Sequence, residues 1–274
     1  MANYRHLIFK ASKGFAFPAM LMMSILLSMT MNTAIGQSQL DLTRLINTLD
    51  SPDRDIADRI RDEQRKPAQV LEFLQLEPGM TALDIYAAGG YFTYVLSKAV
   101  GPEGTVLAQN SPRALRFDED RSDITQGDAL AQKITSGGLD NVTRIDRPVD
   151  DMSLPPDSVD FILLSQILHD YYNSSPQRAS KLLETLYQVL RPGGILGVID
   201  HHGDIELNNR RLHRMPSDTA ISVVNDAGFM LEAGSDLLEV QTDNPRRSIF
   251  DPILNRQTSQ FLLRFKKPTI HQNE

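Results

Sequence analysis

Two stretches of this chain carry residue types able to do chemistry. The first is Ala82-Leu-Asp-Ile-Tyr-Ala-Ala-Gly-Gly-Tyr-Phe-Thr93, an apolar run ended by an acid, followed by a small-residue turn and the start of a helix. Small residues let the backbone approach a ligand closely, and a helix entrance aims unpaired amides at an anionic group. The alternative is structural: Asp84 caps a turn, and Gly89-Gly90 relieve crowding between strand and helix. The second stretch is His201-His-Gly-Asp204, which opens at the end of another apolar run. Two imidazoles and an acid are enough donors for a metal, but adjacent histidines on an extended chain point in different directions. No metal is therefore expected, and His201 and His202 are read as substrate contacts. His213, in Arg211-Leu-His-Arg214, reads as part of a surface basic cluster.

These groups need a scaffold, and the hydrophobic pattern supplies one. Leu42, Leu45, Ile46 and Leu49 fall at helical spacing, and Ser51-Pro-Asp offers a cap with proline in the first turn. A second helix is expected from about residue 53 to 66 and a third over 68–76, closed by Pro78-Gly79. From Met80 onward apolar strands are expected near 81–86, 104–109, 142–146, 158–165, 194–200, 229–240 and 259–267. Helices are expected near 91–100, 175–190 and 217–227. Such alternation indicates a mostly parallel sheet covered on both faces. The division is a leader (residues 1–36), a helical cap (37–79) and a main domain (80–268).

The leader reading rests on Arg5, Lys10 and Lys13, with no acid before Asp41, and on the apolar run from Phe15 to about Met31. Ala34 and Gly36 then stand at the −3 and −1 positions of a cleavage site before Gln37. An uncleaved anchor is the alternative and the one route to membrane attachment, although Pro18, Ser24 and Ser28 weaken it as a permanent span. Cleavage leaves a periplasmic or secreted chain. Absence of cysteine excludes disulfides, thiolate metal sites and a lipoprotein anchor, and it suits an oxidising compartment. Loss of three basic residues takes the net charge from −7 to about −10. With no basic block, nucleic acid is excluded as a partner and a small-molecule substrate is expected. No oligomeric state is assigned.

The first stretch resembles the acid-x-Gly-x-Gly-x-Gly motif of class I S-adenosylmethionine-dependent methyltransferases. Asp84 and Gly90 match it, while Tyr86 and Ala88 occupy two glycine positions. Leu190-Arg-Pro-Gly-Gly-Ile-Leu196 is similar to that family's turn into its fifth strand, and Leu154-Pro-Pro-Asp-Ser-Val-Asp-Phe-Ile-Leu-Leu164 to its approach to the fourth. Arg61-Asp-Glu-Gln-Arg-Lys-Pro67 and Thr258-x-x-Phe-x-x-x-Phe-Lys-Lys-Pro268 resemble a group of exported bacterial predicted methyltransferases. The resemblance covers roughly residues 67–267. It implies an α/β, Rossmann-like, doubly wound sheet of seven strands with an antiparallel last strand.

The same resemblance implies S-adenosylmethionine as cofactor. Asp84 would brace the loop and reach toward the cofactor's amino group, with Tyr86, Ala88, Gly89 and Gly90 in the loop and the last three under the methionine part. Asn110 would replace the acid that grips the ribose, Asp150 or Asp151 would contact the adenine amine, and Ser165 and Gln166 would face the sulfonium. The plain readings are a turn at Asn110 and a solvated pair at Asp150-Asp151. Leu168-His-Asp-Tyr-Tyr172 resembles the His-Asp-aromatic element of small-molecule O-methyltransferases, which makes His169 the base and Asp170 its orienting partner. Arg61, Arg65 and Lys66 either cover the cofactor carboxylate or form a solvated helix face. The functional expectation is methyl transfer to a small-molecule acceptor, with a hydroxyl as the candidate group. The rival is a ligand-binding or scaffold protein that kept the fold without the chemistry.

Overall fold

The apolar runs become seven strands: β1 (Thr81–Ile85), β2 (Thr105–Gln109), β3 (Val142–Ile145), β4 (Val159–Ser165), β5 (Leu190–His201), β6 (Met230–Ser235) and β7 (Gln260–Lys266). The computed structural model describes residues 39–119 and 123–269, so the expected leader and its cleavage point lie outside the described residues. The strands form one sheet in the order β3-β2-β1-β4-β5-β7-β6. Pairing is parallel from β3 to β5, and β7 runs antiparallel to both β5 and β6. The expected Rossmann-like sheet with its antiparallel last strand is therefore present.

Helices cover both faces. They are α1 (Leu42–Leu49), α2 (Ile56–Arg65), α3 (Pro67–Phe73), α4 (Tyr91–Val100), α5 (Gln126–Ser136), α6 (Leu168–Ser174), α7 (Pro176–Val189), α8 (Asn209–Leu212) and α9 (Ser217–Asp226). Within β4, Ile162 and Leu164 join the core under α7 and α9, while Phe161 and Leu163 join the one under α1, α3 and α4. Burial on both faces is why these strands read as continuous apolar runs rather than alternating ones. α2 starts at Ile56, later than expected, because the Asp55 carboxylate caps it by accepting the Ala57 amide. The crossover helix α5 was not expected. Leu130 is its one fully buried residue, so it lacks a clear apolar stripe despite its Thr125 cap.

This topology fixes where a ligand can sit. β1 connects outward to β2 on one side, and β4 and β5 build outward on the other, so the strand order reverses between β1 and β4. The crevice outside the carboxyl ends of these strands is where open α/β sheets bind ligands. Both chemical stretches open there, since Asp84 lies near the end of β1 and His201 ends β5.

Candidate functional site

The β1–α4 loop keeps the backbone shape of a glycine loop without its glycines. Tyr86, Ala88 and Gly90 have φ of 56°, 50° and 85°. All three positions of the resembled motif are thus left-handed, and in the first two a side chain has been forced into a conformation that favours glycine. At Gly90 space is limiting too, because a Cβ would lie 2.7 Å from the Leu130 side chain. Asp84 is buried and accepts a 2.7 Å hydrogen bond from the Thr93 hydroxyl, tying β1 to the first turn of α4. Burial pushes its carboxyl up to about 7, against the Thr93 hydroxyl and the nearby Arg65 guanidinium.

Asn110 is placed differently from the ribose grip inferred above. Its Oδ1 accepts the Ala88 amide at 3.0 Å and its Nδ2 donates to the Ala88 carbonyl at 3.2 Å. The fully buried side chain is spent on holding the loop. Gln109 does similar work, accepting the Tyr86 amide and donating to the Arg147 carbonyl. Asp151 pairs with Arg147 and Asp150 with Lys181, both on the surface. Asp150 also lines a cavity of about 340 Å³ with Tyr86, Ser111, Val149 and Tyr171. The Tyr86 ring meets Tyr171 edge-on at 6.3 Å.

The cap separates Arg61, Arg65 and Lys66. Arg61 pairs with buried Asp58, which also takes Lys133, and with Glu119. Lys66 donates to the Leu237 carbonyl at 2.7 Å. Arg65 makes no hydrogen bond or ion pair among the described residues. Its guanidinium stacks 4.4 Å over the Tyr91 ring, while the Tyr91 hydroxyl is fixed by a 2.6 Å bond to Asp62. Burial holds Arg65 below its usual pKa, and its field reaches both Asp84 and His201. An unpaired guanidinium thus stands over the first turn of α4, which no side chain caps. A carboxylate is the group that both features suit.

At the ends of β4 and β5 the histidines are sorted by the sheet. His169 is buried on α6, and its Nδ1 lies 2.6 Å from Asp200 Oδ1. Asp200 also accepts the backbone amides of His169 and His201, each at 2.8 Å. Asp170, the partner inferred from the sequence, sits instead at the other nitrogen, 3.3 Å from Nε2, and also faces His213 at 3.2 Å. Burial alone would lower the His169 pKa, but Asp200 and Asp170 overcome it and push it up to about 10. With a carboxylate at each nitrogen, His169 has no site free to take a substrate proton, and the base role assigned to it does not fit this geometry.

His201 is also buried, with Nδ1 2.9 Å from the Thr258 hydroxyl and no hydrogen bond to Nε2 among the described residues. Burial drives it down to about 3, so it is neutral. His202 turns away, its ring edge-on to Phe261 at 5.5 Å, as alternation along a strand requires. Gln166, left-handed at φ 57°, donates to Gln260 at 3.0 Å, and Ser165 ends β4 beside it. The basic cluster around His213 lies at the surface only in part, since Arg211 is exposed and His213 half-buried. Arg214 is fully buried and clamped by Asp243 at 2.7 and 2.8 Å and by the His202 carbonyl at 2.9 Å. Asp200 was not singled out from sequence, although an acid closing an apolar strand is the signal that had marked Asp84.

Comparisons with known proteins agree with this architecture. Demethylmenaquinone methyltransferases from Listeria monocytogenes and Geobacillus stearothermophilus are 24% and 28% identical over 48% and 46% of this chain. The chain spans about half the length of these curated relatives, 49% and 47%. Among solved structures, an S-adenosylmethionine-dependent methyltransferase from Aquifex aeolicus superposes with a TM-score of 0.56 at 22% identity, covering 84% of this chain and all of that one. The [4+2]-cyclase SpnF gives 0.54 at 16%, covering 83% and 93%. These two likenesses concern the fold. The sequence model of the methyltransferase domain family matches residues 76–239. That span is more than half of the chain and contains the left-handed loop, the β4 and β5 strand ends and Asp200, so this protein belongs to the methyltransferase domain family.

Proposed function

We propose that this chain binds S-adenosylmethionine at the loop from Asp84 to Gly90 and transfers its methyl group to a small-molecule acceptor beside His201 and Gln166. The observation that carries this reading is the backbone at Tyr86 and Ala88. Holding two non-glycine residues left-handed costs about 1–2 kcal/mol each, strain that functional sites tend to retain. The residues present fit the cofactor best at its methionine end. Arg65 and the uncapped first turn of α4 would take the carboxylate, and Asp84 would lie near the amino group. Ser111, Val149 and Asp150 would border the base in the 340 Å³ cavity.

Bound there, the sulfonium supplies an activated methyl group with a neutral thioether as leaving group, so alignment is the protein's main task. The neutral His201 imidazole is suited to hydrogen-bond the acceptor through Nε2. A group held near 3 is a weak proton acceptor at neutral pH, so His201 orients rather than deprotonates. The leader reading adds that the chain works after export, as a periplasmic or secreted protein of net charge about −10. Among the described residues no helix is long and apolar enough to cross a membrane.

The commitment of Asn110 to Ala88 favours a second reading, a binding protein without turnover. Calorimetric titration with S-adenosylmethionine and with its demethylated product tests the cofactor site on which the methyl-transfer reading depends. Binding of both is expected, and Arg65→Met should weaken it by roughly 10–100-fold, the worth of a charge-assisted hydrogen bond. No heat at millimolar ligand would sink the methyl-transfer reading.

A further inference from the structure

We propose that His169, Asp170 and His213 form a binding site for one divalent transition-metal ion such as Zn²⁺ or Co²⁺. Three protein atoms converge. His169 Nε2 and His213 Nδ1 lie 3.3 and 3.2 Å from the same Asp170 oxygen, and all three donors fall within 4.8 Å of one another. Two ligands each about 2.1 Å from one zinc ion at the tetrahedral angle stand about 3.4 Å apart, so little movement is needed to place an ion among them. The donors are nitrogen and oxygen, and the chain has no cysteine, which suits a borderline ion held by imidazole.

The surroundings are those of a metal-binding histidine rather than of a chance cluster. Asp200, fully buried, holds His169 Nδ1 at 2.6 Å and so turns Nε2 toward Asp170. A carboxylate behind the ligating imidazole is the arrangement that fixes tautomer and ring orientation at metal sites. Because Asp200 also accepts the His169 backbone amide, ring and backbone are held by one carboxylate. His213 is fixed from the other side. It is left-handed at φ 53°, ends α8, and precedes the clamped Arg214. The two carboxylates that raise the His169 pKa, Asp200 and Asp170, would face the ion in place of that proton.

The site lies next to the acceptor side of the crevice. His169 stands between His201 and His213, with ring centres 6.0 and 5.8 Å away, and Phe250 packs on His213 at 4.8 Å. Three protein ligands leave a position for water or a substrate atom, as in catalytic zinc sites. Resting here on the methyl-transfer reading, an acceptor oxygen held by the ion would have its pKa lowered and would need no histidine base.

The test uses the chelator-stripped protein without a histidine tag and without cofactor, titrated with CoCl₂ by visible absorption and with ZnCl₂ by calorimetry. One equivalent of either ion should bind, with ligand-field bands for Co²⁺. His213→Asn, which tolerates the left-handed backbone, and Asp170→Asn should each weaken binding by roughly 100-fold or more while circular-dichroism melting stays near wild type. No uptake at millimolar ion, or wild-type affinity in both variants, overturns the proposal. Since no cofactor is present, failure here leaves the methyl-transfer reading standing, and failure of the cofactor titration leaves the metal site standing.

Discussion

Asp84 and Asp200 are the same residue in the same kind of place, a buried acid at the carboxyl end of a parallel strand, yet the protein uses them in opposite ways. Asp84 has one neutral hydroxyl donor, Thr93, and burial pushes it up to about 7. Asp200 collects two backbone amides and the His169 ring. The chain beyond Asp84 turns at once into left-handed backbone, whereas beyond Asp200 it continues extended into His201. One end of the crevice is thus an under-satisfied acid beside a strained loop and an unpaired arginine. The other is a saturated acid that organises histidines. The difference teaches that burial alone does not set the state of a carboxylate; the donors that the fold delivers to it do.

The largest effect should come from breaking the saturated end. Asp200→Ala strips three donors of their acceptor and leaves His169 without its inner carboxylate. Removing one partner of a buried ion pair costs about 3–5 kcal/mol, and urea unfolding should show a loss in that range. A loss below about 1 kcal/mol, the worth of an ordinary hydrogen bond, would mean that Asp200 does not hold the strand ends together.

Asp84→Asn probes the other end and should act through pH. In the folded chain Asp84 keeps its proton up to about pH 7, whereas its ordinary value is 3.8. Between those values the folded state holds more protons than the unfolded one, so stability falls as pH rises through the window. About three pKa units set an upper bound of about 4 kcal/mol. The asparagine variant should lose this slope and gain most over wild type at pH 7 and above. Parallel unfolding curves for the two proteins from pH 4.5 to 8 would contradict it.

How much of this was legible depended on range. The strands were readable because residues such as Phe161 to Leu164 are buried on alternate faces and leave an unbroken apolar run. α5 was not, since it buries one leucine and is held largely by its cap and by Lys133 reaching Asp58. Asp84 was readable because its partner Thr93 lies nine residues away, in the first turn of the helix that its loop enters. His169 was paired from sequence with its neighbour Asp170, but its tighter contact is Asp200, 31 residues on and one strand over. Arg214 looked like a surface cation because nothing local announces Asp243, which meets it 29 residues later. Contacts made by the sheet edge, rather than by a motif, were the ones missed.

The smallest expected effect sharpens the comparison most. Ala88 at φ 50° bears the full steric cost of the left-handed region, while glycine there would be free of it. Glycine also loses more backbone entropy on folding, so the two terms oppose. Where φ is positive the steric term wins, and Ala88→Gly should stabilise by roughly 0.5–1 kcal/mol, a rise of about 1–4 °C in Tm for a domain of this size. Because the backbone already has its final shape, affinity for the demethylated cofactor should stay within about twofold, well under the 1.4 kcal/mol that a tenfold change requires. If the loop were relaxed in solution, the entropy term alone would remain and the same substitution would destabilise by a comparable amount. The sign of one small ΔΔG therefore reports whether Ala88 is held in a glycine's shape in solution or relaxes out of it.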